Sequence, residues 1–214
     1  MGRLVVTIWG HSFVVSLTHF LRNKQKHSSF QGGFPSFCAW YLQVSDLVAE
    51  VHLIGVNGGK ITQNLHIPTS ELLSLKPDIV IIEVGSNDAA LSKTTINEIA
   101  CQIIDHAESI RDLFHVSKTV VCSLIKREMG IQMSAQSFFR KIYGINGVLR
   151  RALSNQQGIK FHHHKGFWRE ADGRIGDTTE FSFDGIHPNR PEGRRKYIKS
   201  ITAAIRNAAR DLRH

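Results

Sequence analysis

Five short runs of Val, Ile and Leu recur along the chain, and each has the length of a single strand. Runs that are apolar at nearly every position are typical of strands covered on both faces of a sheet. We therefore predict five buried strands, at Leu4–Trp9, Glu50–Gly55, Asp78–Val84, Thr119–Leu124 and Lys160–His163.

Longer segments between and after these runs carry apolar residues at helical spacing. They predict helices at Ser12–Arg22, Phe37–Glu50, Thr95–Phe114, Ala135–Asn155 and Arg190–Arg213. Strands that alternate with helices form a parallel sheet covered on both faces. The predicted fold class is α/β, a three-layer α/β/α sandwich with a central, mostly parallel five-stranded sheet. The polar segment Leu21–Pro35 is predicted to be a loop or lid.

Length and composition favour one compact unit. With 214 residues, of which 42% are hydrophobic and 21% charged, the chain can bury a sizeable core, and we predict a single domain over residues 1–214. No run reaches the roughly 18 apolar residues of a membrane span. Three cysteines without paired spacing are typical of free thiols in a reducing compartment. We expect an intracellular, cytoplasmic protein, or a domain taken from a longer chain.

Basic residues are concentrated near the C-terminus. Residues 1–139 carry 11 Lys and Arg against 11 Asp and Glu, whereas residues 140–214 carry 16 against 7. The predicted last helix has an apolar stripe of Ile198, Ile201, Ile205, Ala208 and Leu212. Its basic residues are Arg190, Arg194, Arg195, Lys196, Lys199, Arg206, Arg210 and Arg213. Two interpretations stay open: a solvated outer face, or a surface that attracts nucleic acid or anionic lipid.

Four short motifs lie where the chemistry of an α/β protein gathers, beyond the carboxyl ends of its strands. Gly10-His11-Ser12 follows the first strand, Val56-Asn57-Gly58-Gly59 the second, and Gly85-Ser86-Asn87-Asp88 the third, while Asp184-Gly185-Ile186-His187 precedes the last helix. A serine hydroxyl becomes a nucleophile when an imidazole takes its proton and a carboxylate holds that imidazole. The motifs therefore predict a serine hydrolase.

Each motif also has a purely structural interpretation. Ser12 suits a helix N-cap. Asn87 and Asp88 suit a turn after a strand, and Gly58 suits a left-handed position in a tight loop. Asp184 and His187 could form an ion pair within a loop. The positions of all four motifs together favour the chemical interpretation.

The four motifs resemble those of the SGNH (GDSL-like) hydrolases, a family named for a serine, a glycine, an asparagine and a histidine in separate blocks. The resemblance implies a flavodoxin-like fold over nearly the whole chain. It implies that Ser12 is the nucleophile, His187 the base and Asp184 its acid partner. The backbone N–H groups of Ser12 and Gly58 and the side-chain amide of Asn87 would bind the oxyanion, with no cofactor and no metal.

A narrower resemblance and one departure qualify this assignment. The runs Gly10–Val14, Gly166–Arg169 and Phe183–Asn189 are similar to those of esterase-type domains encoded by some animal retrotransposons. The family usually has aspartate before the nucleophile, whereas this chain has His11. A bulkier and potentially cationic group there changes the polarity beside Ser12. A positioning role for His11 is favoured over that of a competing proton acceptor.

The substrate is left open by the sequence. The resemblance implies a small-molecule or lipid-like ester, and the same nucleophile would also serve a glycan deacetylase or an acyltransferase. A different class of function is a catalytically weak module that binds nucleic acid or an anionic membrane through the basic C-terminal face. The oligomeric state cannot be predicted.

Three consecutive histidines, His162, His163 and His164, raise the question of a metal site. Neighbouring residues of a strand point to opposite faces, so at most two of the rings project together. No cysteine or carboxylate pair lies at ligand spacing around them in the sequence. We predict no metal and interpret the tract as a strand end near the site.

Overall fold

The computed structural model describes residues 3–26, 39–44, 47–63, 65–167 and 182–213. The strands are β1 (Arg3–Gly10), β2 (Ala39–Val44), β3 (Leu47–Gly55), β4 (Ile79–Glu83), β5 (Lys118–Cys122) and β6 (Ile159–His162). The helices are α1 (Ser12–Lys26), α2 (Thr69–Leu75), α3 (Ser86–Ala89), α4 (Ile96–Leu113), α5 (Ala135–Ala152) and α6 (Pro191–Asp211), with a 3₁₀ turn at Lys165–Phe167. Residues 27–35 of the predicted loop or lid lie outside the described residues, and its first six residues belong to α1.

The six strands form one sheet in the order β2-β3-β1-β4-β5-β6. The β1–β3, β1–β4, β4–β5 and β5–β6 pairs are parallel, and only β2 runs antiparallel, against β3. The five parallel strands have the flavodoxin-like order, in which the chain reverses direction across the sheet beside its first strand. The predicted α/β class is confirmed, with the five expected strands and one further strand at the edge.

Helices cover both faces of the sheet, and two apolar cores result. Residues alternate between them along each strand: Ile79 and Ile81 of β4 belong to the core beneath α1 and α6, whereas Val80 and Ile82 belong to the core beneath α4 and α5. All five residues of β4 are buried. This burial on both faces explains why the strands are apolar at nearly every position.

The predicted helix Phe37–Glu50 is wrong. Ala39–Val44 forms β2, and Leu47–Gly55 forms β3, which starts three residues earlier than predicted. The segment is rich in aromatic and β-branched residues, which fit a pleated surface better than a helix. Its apolar spacing matches either element, so pairing with β3 decides in favour of the strand.

The terminal helix agrees with its predicted pattern. Ile201, Ile205 and Ala208 are buried, and Ile198 and Leu212 pack at the margin of the same core. Within the described ranges, no helix is long and apolar enough to cross a lipid bilayer.

Candidate active site

Ser12 is the first residue of α1, at the carboxyl edge of the sheet. The turn before it is held from both sides, because His11 N–H donates to the Glu83 carbonyl (3.1 Å) and Val56 N–H donates to the Gly10 carbonyl (2.9 Å). A side chain at Gly10 could not fit, since its Cβ would lie 2.3 Å from the Glu83 carbonyl oxygen. Glycine at this position lets β1 and β4 approach closely enough to fix the turn.

Asp184 and His187 form a hydrogen-bonded pair in the turn before α6. His187 Nδ1 lies 2.8 Å from Asp184 Oδ2, which also accepts from Asn189 Nδ2 at 3.0 Å. Asp184 Oδ1 accepts from Ser182 Oγ and from the N–H groups of Ile186 and His187, at 2.8–2.9 Å. Partial burial alone would raise the pKa of Asp184, but these hydrogen bonds outweigh it and lower the pKa well below its ordinary value. The carboxylate is therefore charged at neutral pH and orients the imidazole.

The second ring nitrogen of His187 is available for chemistry. Its Nε2 is buried and has no hydrogen-bond partner among the residues that the structure describes. The ring contacts the edge of Phe13, the residue after Ser12, with 5.7 Å between ring centroids. The fold thus brings the two ends of the chain together at one sheet edge. No hydrogen bond joins Ser12 Oγ to His187 Nε2 in this structure, and such contacts often tighten only when substrate binds.

His11 is a neutral side chain beside the nucleophile turn. It is 2% exposed, and its Nδ1 accepts a long hydrogen bond from Phe13 N–H at 3.4 Å. Burial, followed by the nearby Arg127 and His187, lowers the pKa of His11 to about 3. At neutral pH the ring carries no charge, and its Nδ1 faces the backbone. These contacts favour the positioning role over that of a competing base.

Gly58 lies in an exposed turn after β3. Its φ of +65° is in the left-handed region, and an added Cβ would meet no atom within 4 Å. Glycine is therefore favoured at this position by its positive φ, and not because a larger side chain would clash. The N–H groups of Gly58 and Ser12 donate no hydrogen bond within the described part of the chain, so both donors are available.

Asn87, on α3, connects the Gly58 turn to the loop after β5. Its Nδ2 donates to the Gly59 carbonyl at 2.9 Å, and its Oδ1 accepts from Arg127 Nη1 at 3.0 Å. Because a guanidinium only donates, the oxygen of the amide must face Arg127. The amide orientation is thereby defined, and the second hydrogen of Nδ2 is left for a ligand.

Two charged residues that sequence reasoning did not assign hold this arrangement. Arg127 is 5% exposed and also donates to the Gly130 carbonyl at 2.9 Å; burial lowers its pKa to about 10, so it stays cationic at neutral pH. Asp88 is fully buried and accepts from Ile61 N–H and from the N–H and hydroxyl of Thr62 at 2.6–3.0 Å. The sequence signal for Asp88 was its place beside Asn87, whereas Arg127 lies 40 residues from Asn87 and had none.

Comparison with known proteins defines the family. The chain belongs to the GDSL-like lipase/acylhydrolase family, since the sequence model of that family matches residues 17–199. The matched range includes Gly58, Asn87, Asp184 and His187 and begins five residues after Ser12. No curated protein sequence matches the chain.

Solved structures show the same fold at low identity. A GDSL-like lipase from Bacteroides thetaiotaomicron has a TM-score of 0.66 and 16% identity, over 95% of this chain and 88% of that one. A catalytic mutant of an acetylxylan esterase from Geobacillus stearothermophilus has a TM-score of 0.62 and 12% identity, over 94% of both chains. An α/β hydrolase enzyme from the metagenome of Lake Arreo in Spain has a TM-score of 0.62 and 14% identity, also over 94% of both. Identities this low establish the fold alone.

Proposed function

We propose that this protein is a serine esterase of the SGNH type, which hydrolyses a carboxylic ester through an acyl-enzyme intermediate. The observation that carries the proposal is the His187 ring, which is held by Asp184 at 2.8 Å on one side, while its other nitrogen is buried and has no partner among the described residues. An imidazole that a carboxylate holds through one nitrogen can act as a general base through the other. The His187 ring also contacts Phe13, the residue next to Ser12, with 5.7 Å between ring centroids.

The reaction proceeds in two balanced halves. Ser12 Oγ attacks the ester carbonyl while His187 Nε2 takes the hydroxyl proton, and the carbonyl oxygen becomes an oxyanion. The intermediate collapses to the acyl-enzyme, and His187 returns the proton to the leaving alcohol. Water then attacks the acyl group with His187 again as base, which releases the carboxylic acid and restores Ser12.

The oxyanion is stabilised by the N–H groups of Ser12 and Gly58 and by Nδ2 of Asn87. Such donors are effective because they are oriented before charge develops, and losing one costs about 2.7–4 kcal/mol of transition-state stabilisation. Arg127 acts as a positioning residue, since it fixes the direction of the Asn87 amide. Its buried positive charge also favours a negative charge nearby.

The test is hydrolysis of p-nitrophenyl acetate by the wild type, Ser12→Ala and Ser16→Ala. Ser16 lies one turn further along α1 and has no role in the mechanism, so its variant is the matched control. We expect turnover by the wild type and the control and its loss in Ser12→Ala. Equal rates for Ser12→Ala and the wild type, or no turnover by the wild type, would contradict the proposal.

The substrate class is a small-molecule or lipid-like ester. The similar structures include a lipase and an acetylxylan esterase by description, so both short and long acyl groups are candidates. Rates on acetyl, butyryl and octanoyl esters of p-nitrophenol separate them. A sharp preference for acetyl indicates an acetylated sugar or another small ester, whereas a rise with chain length indicates an acyl lipid.

A second candidate function is binding of nucleic acid or anionic lipid by the basic face of α6. Lys199 and Arg206 are exposed there and pair with no carboxylate in the described part of the chain. Arg195, in contrast, already pairs with Glu192. A salt titration of oligonucleotide binding tests this function, because affinity carried by phosphate contacts falls steeply with ionic strength. Unaltered affinity in Lys199→Gln/Arg206→Gln would eliminate it.

We also propose a retrotransposon origin, on the resemblance of the Gly10–Val14 and Phe183–Asn189 runs to retrotransposon esterase domains. The chain would then be a domain of an element-encoded protein. A reverse transcriptase reading frame beside its gene is the expected observation, and a single-copy gene without one would contradict the origin while leaving the esterase proposal intact.

A further inference from the structure

Three ionisable side chains meet in the core beneath α6. Glu83 is 4% exposed, Cys122 3% and His164 0%. Glu83 and Cys122 end the neighbouring strands β4 and β5, and His164 follows β6, so the parallel sheet aligns them. Ionisable groups are costly to bury unless they are paired or coordinate a metal. Their gathering therefore calls for a physical explanation.

Their separations are close to those of a metal centre. His164 Nε2 lies 2.7 Å from Glu83 Oε1, and the ligand atoms of all three residues lie within 4.8 Å of one another. Tetrahedral zinc, with bonds of about 2.0–2.3 Å, keeps its ligand atoms roughly 3.3–3.7 Å apart. On zinc binding the Glu83–His164 contact would widen by about 0.6–1 Å, and a contact at the 4.8 Å limit would shorten by about 1.1–1.5 Å.

Two residues of α6 complete the surroundings. Tyr197 is 2% exposed, and its hydroxyl has no hydrogen-bond partner in the ranges that the structure describes. Burial, together with the adjacent Glu83 and Cys122, raises the pKa of Tyr197 well above its ordinary value. Ser200 Oγ lies 2.8 Å from His164 Nδ1. A metal-bound histidine commonly has such a partner on its second nitrogen, which orients the ring.

We propose that Glu83, Cys122 and His164 bind a zinc ion through one ligand atom each. Sulfur, imidazole nitrogen and carboxylate oxygen are donors that zinc accepts together. On binding, Cys122 releases its thiol proton and the proton between Glu83 and His164 moves to His164 Nδ1, where Ser200 Oγ can accept it, while zinc bonds to Sγ, Oε1 and Nε2. The carboxylate and the thiolate balance the two charges of the ion, so the occupied site is neutral within the core.

The proposed site lies next to the candidate active site but is not part of it. The Glu83 carbonyl accepts from His11 N–H at 3.1 Å, and the Tyr197 ring contacts Phe13 with 6.2 Å between centroids. A zinc ion here would join β4, β5 and the segment after β6 beneath the turn that carries Ser12. Its role is structural, and the proposal stands independently of the esterase activity.

The test is a metal titration of the full chain after treatment with a chelator. We expect one Co²⁺ per chain, with the thiolate-to-metal charge-transfer absorption and visible bands of a tetrahedral thiolate site. One equivalent of Zn²⁺ should displace the cobalt and raise the Tm, because the ion binds the folded state. No stoichiometric binding, or a cobalt spectrum without thiolate absorption, would overturn the proposal, whatever the variants do.

Variants separate this site from adventitious binding. Cys122→Ser should remove the charge-transfer absorption and lower zinc affinity at least tenfold. Ser200→Ala should keep that absorption and weaken binding about 10–100-fold, as loss of an outer partner does. His163→Gln is the matched control, because this neighbouring imidazole lines a separate cleft between α5 and β6. Equal affinity in Cys122→Ser and the wild type, or loss of binding in His163→Gln, would mean that the metal binds elsewhere.

Discussion

Two sets of serine, histidine and carboxylate lie in the described part of the chain, and they differ in what the imidazole can do. At the sheet edge, His187 contacts Asp184 at 2.8 Å and its Nε2 has no described partner. In the core, His164 contacts Glu83 at 2.7 Å and Ser200 at 2.8 Å. Both nitrogens of the core histidine have hydrogen-bond partners, whereas one nitrogen of the edge histidine has none among the residues that the structure describes.

Exposure separates the two sets further. The side chains of Asp184 and His187 are 42% and 23% exposed, against 4% and 0% for those of Glu83 and His164. The edge set also lies at the same sheet edge as the free N–H of Gly58 and the oriented amide of Asn87. A carboxylate–imidazole contact alone does not make a catalytic base. The edge set differs in that one imidazole nitrogen has no described partner and candidate oxyanion donors lie at the same sheet edge.

The largest expected difference is between the two histidines. His187→Gln should lower kcat by roughly 10⁵–10⁶-fold, as loss of a triad base does. His164→Gln should cost less than tenfold in kcat and should instead lower the free energy of unfolding. Steady-state hydrolysis of p-nitrophenyl acetate and urea denaturation measure the two effects. Comparable losses of kcat in both variants would remove the distinction between the sets.

The carboxylates give the next largest contrast. Asp184→Asn should lower kcat about 10⁴-fold, because the amide favours the wrong tautomer of His187. Glu83→Ala should lower the free energy of unfolding by about 3–5 kcal/mol, since it leaves a buried partner uncompensated. Kinetics on p-nitrophenyl acetate and urea denaturation of each variant provide both numbers. An Asp184→Asn enzyme with wild-type kcat would disprove the orienting role.

Arg127 and Asn87 should act as one unit. Asn87→Ala is expected to lower kcat about 10²–10³-fold with little change in KM. Arg127→Met should lower it about 10–100-fold, the equivalent of a charged hydrogen bond of about 1.5–3 kcal/mol. In the Asn87→Ala/Arg127→Met double variant the two effects on kcat should not add, because Arg127 acts through Asn87.

Lys141→Met is the control for Arg127→Met. Lys141 is another buried cation, which donates to the Leu91 carbonyl at 2.6 Å and to Thr94 Oγ1 at 2.9 Å, without contact to Asn87. Its loss should lower stability but not kcat. Additive effects of the Arg127 and Asn87 substitutions would show that Arg127 is only structural.

The last contrast concerns the pH dependence of stability. The pKa of His11 is about 3 in the folded protein against 6.5 for the free side chain, so between these values the unfolded chain binds the extra proton. The contribution of neutral His11 to the free energy of unfolding is complete above pH 6.5. It is lost as pH falls toward 3, by about 1.4 kcal/mol per pH unit. In His11→Asn the free energy of unfolding should depend less steeply on pH, as measured by urea denaturation at pH 4–7. An unchanged slope would mean that His11 is not buried and neutral.

Local sequence patterns predicted much of the fold and part of the site. Ser12, Gly58 and Asn87 each follow a strand, so their placement at one sheet edge could be predicted from strand direction alone. The hydrogen bonds of the Asp184–His187 turn lie within a few residues of the chain, and local spacing indicated them. The roles of these residues in catalysis stay a proposal until the variants are measured.

Sequence reasoning failed where spatial neighbours are far apart along the chain. Arg127 reaches Asn87 across 40 residues and was not assigned. The histidine tract was predicted to hold no metal because no cysteine or carboxylate pair lies near it in sequence. That prediction is untested, and the proximity of Cys122 and Glu83 to His164 arises only in the folded core. The segment 37–50 was predicted as a helix because its spacing is ambiguous, and pairing with β3 decided otherwise.

By itself, the sequence determined the alternation of strands and helices, the buried faces and the motifs at strand ends, because apolar periodicity and turn chemistry act over a few residues. Tertiary structure alone decided which imidazole keeps a free nitrogen, that His11 is neutral and which cation orients Asn87. These properties depend on burial and on partners from other strands. Burial and partners exist only after the sheet has brought distant residues within hydrogen-bonding distance.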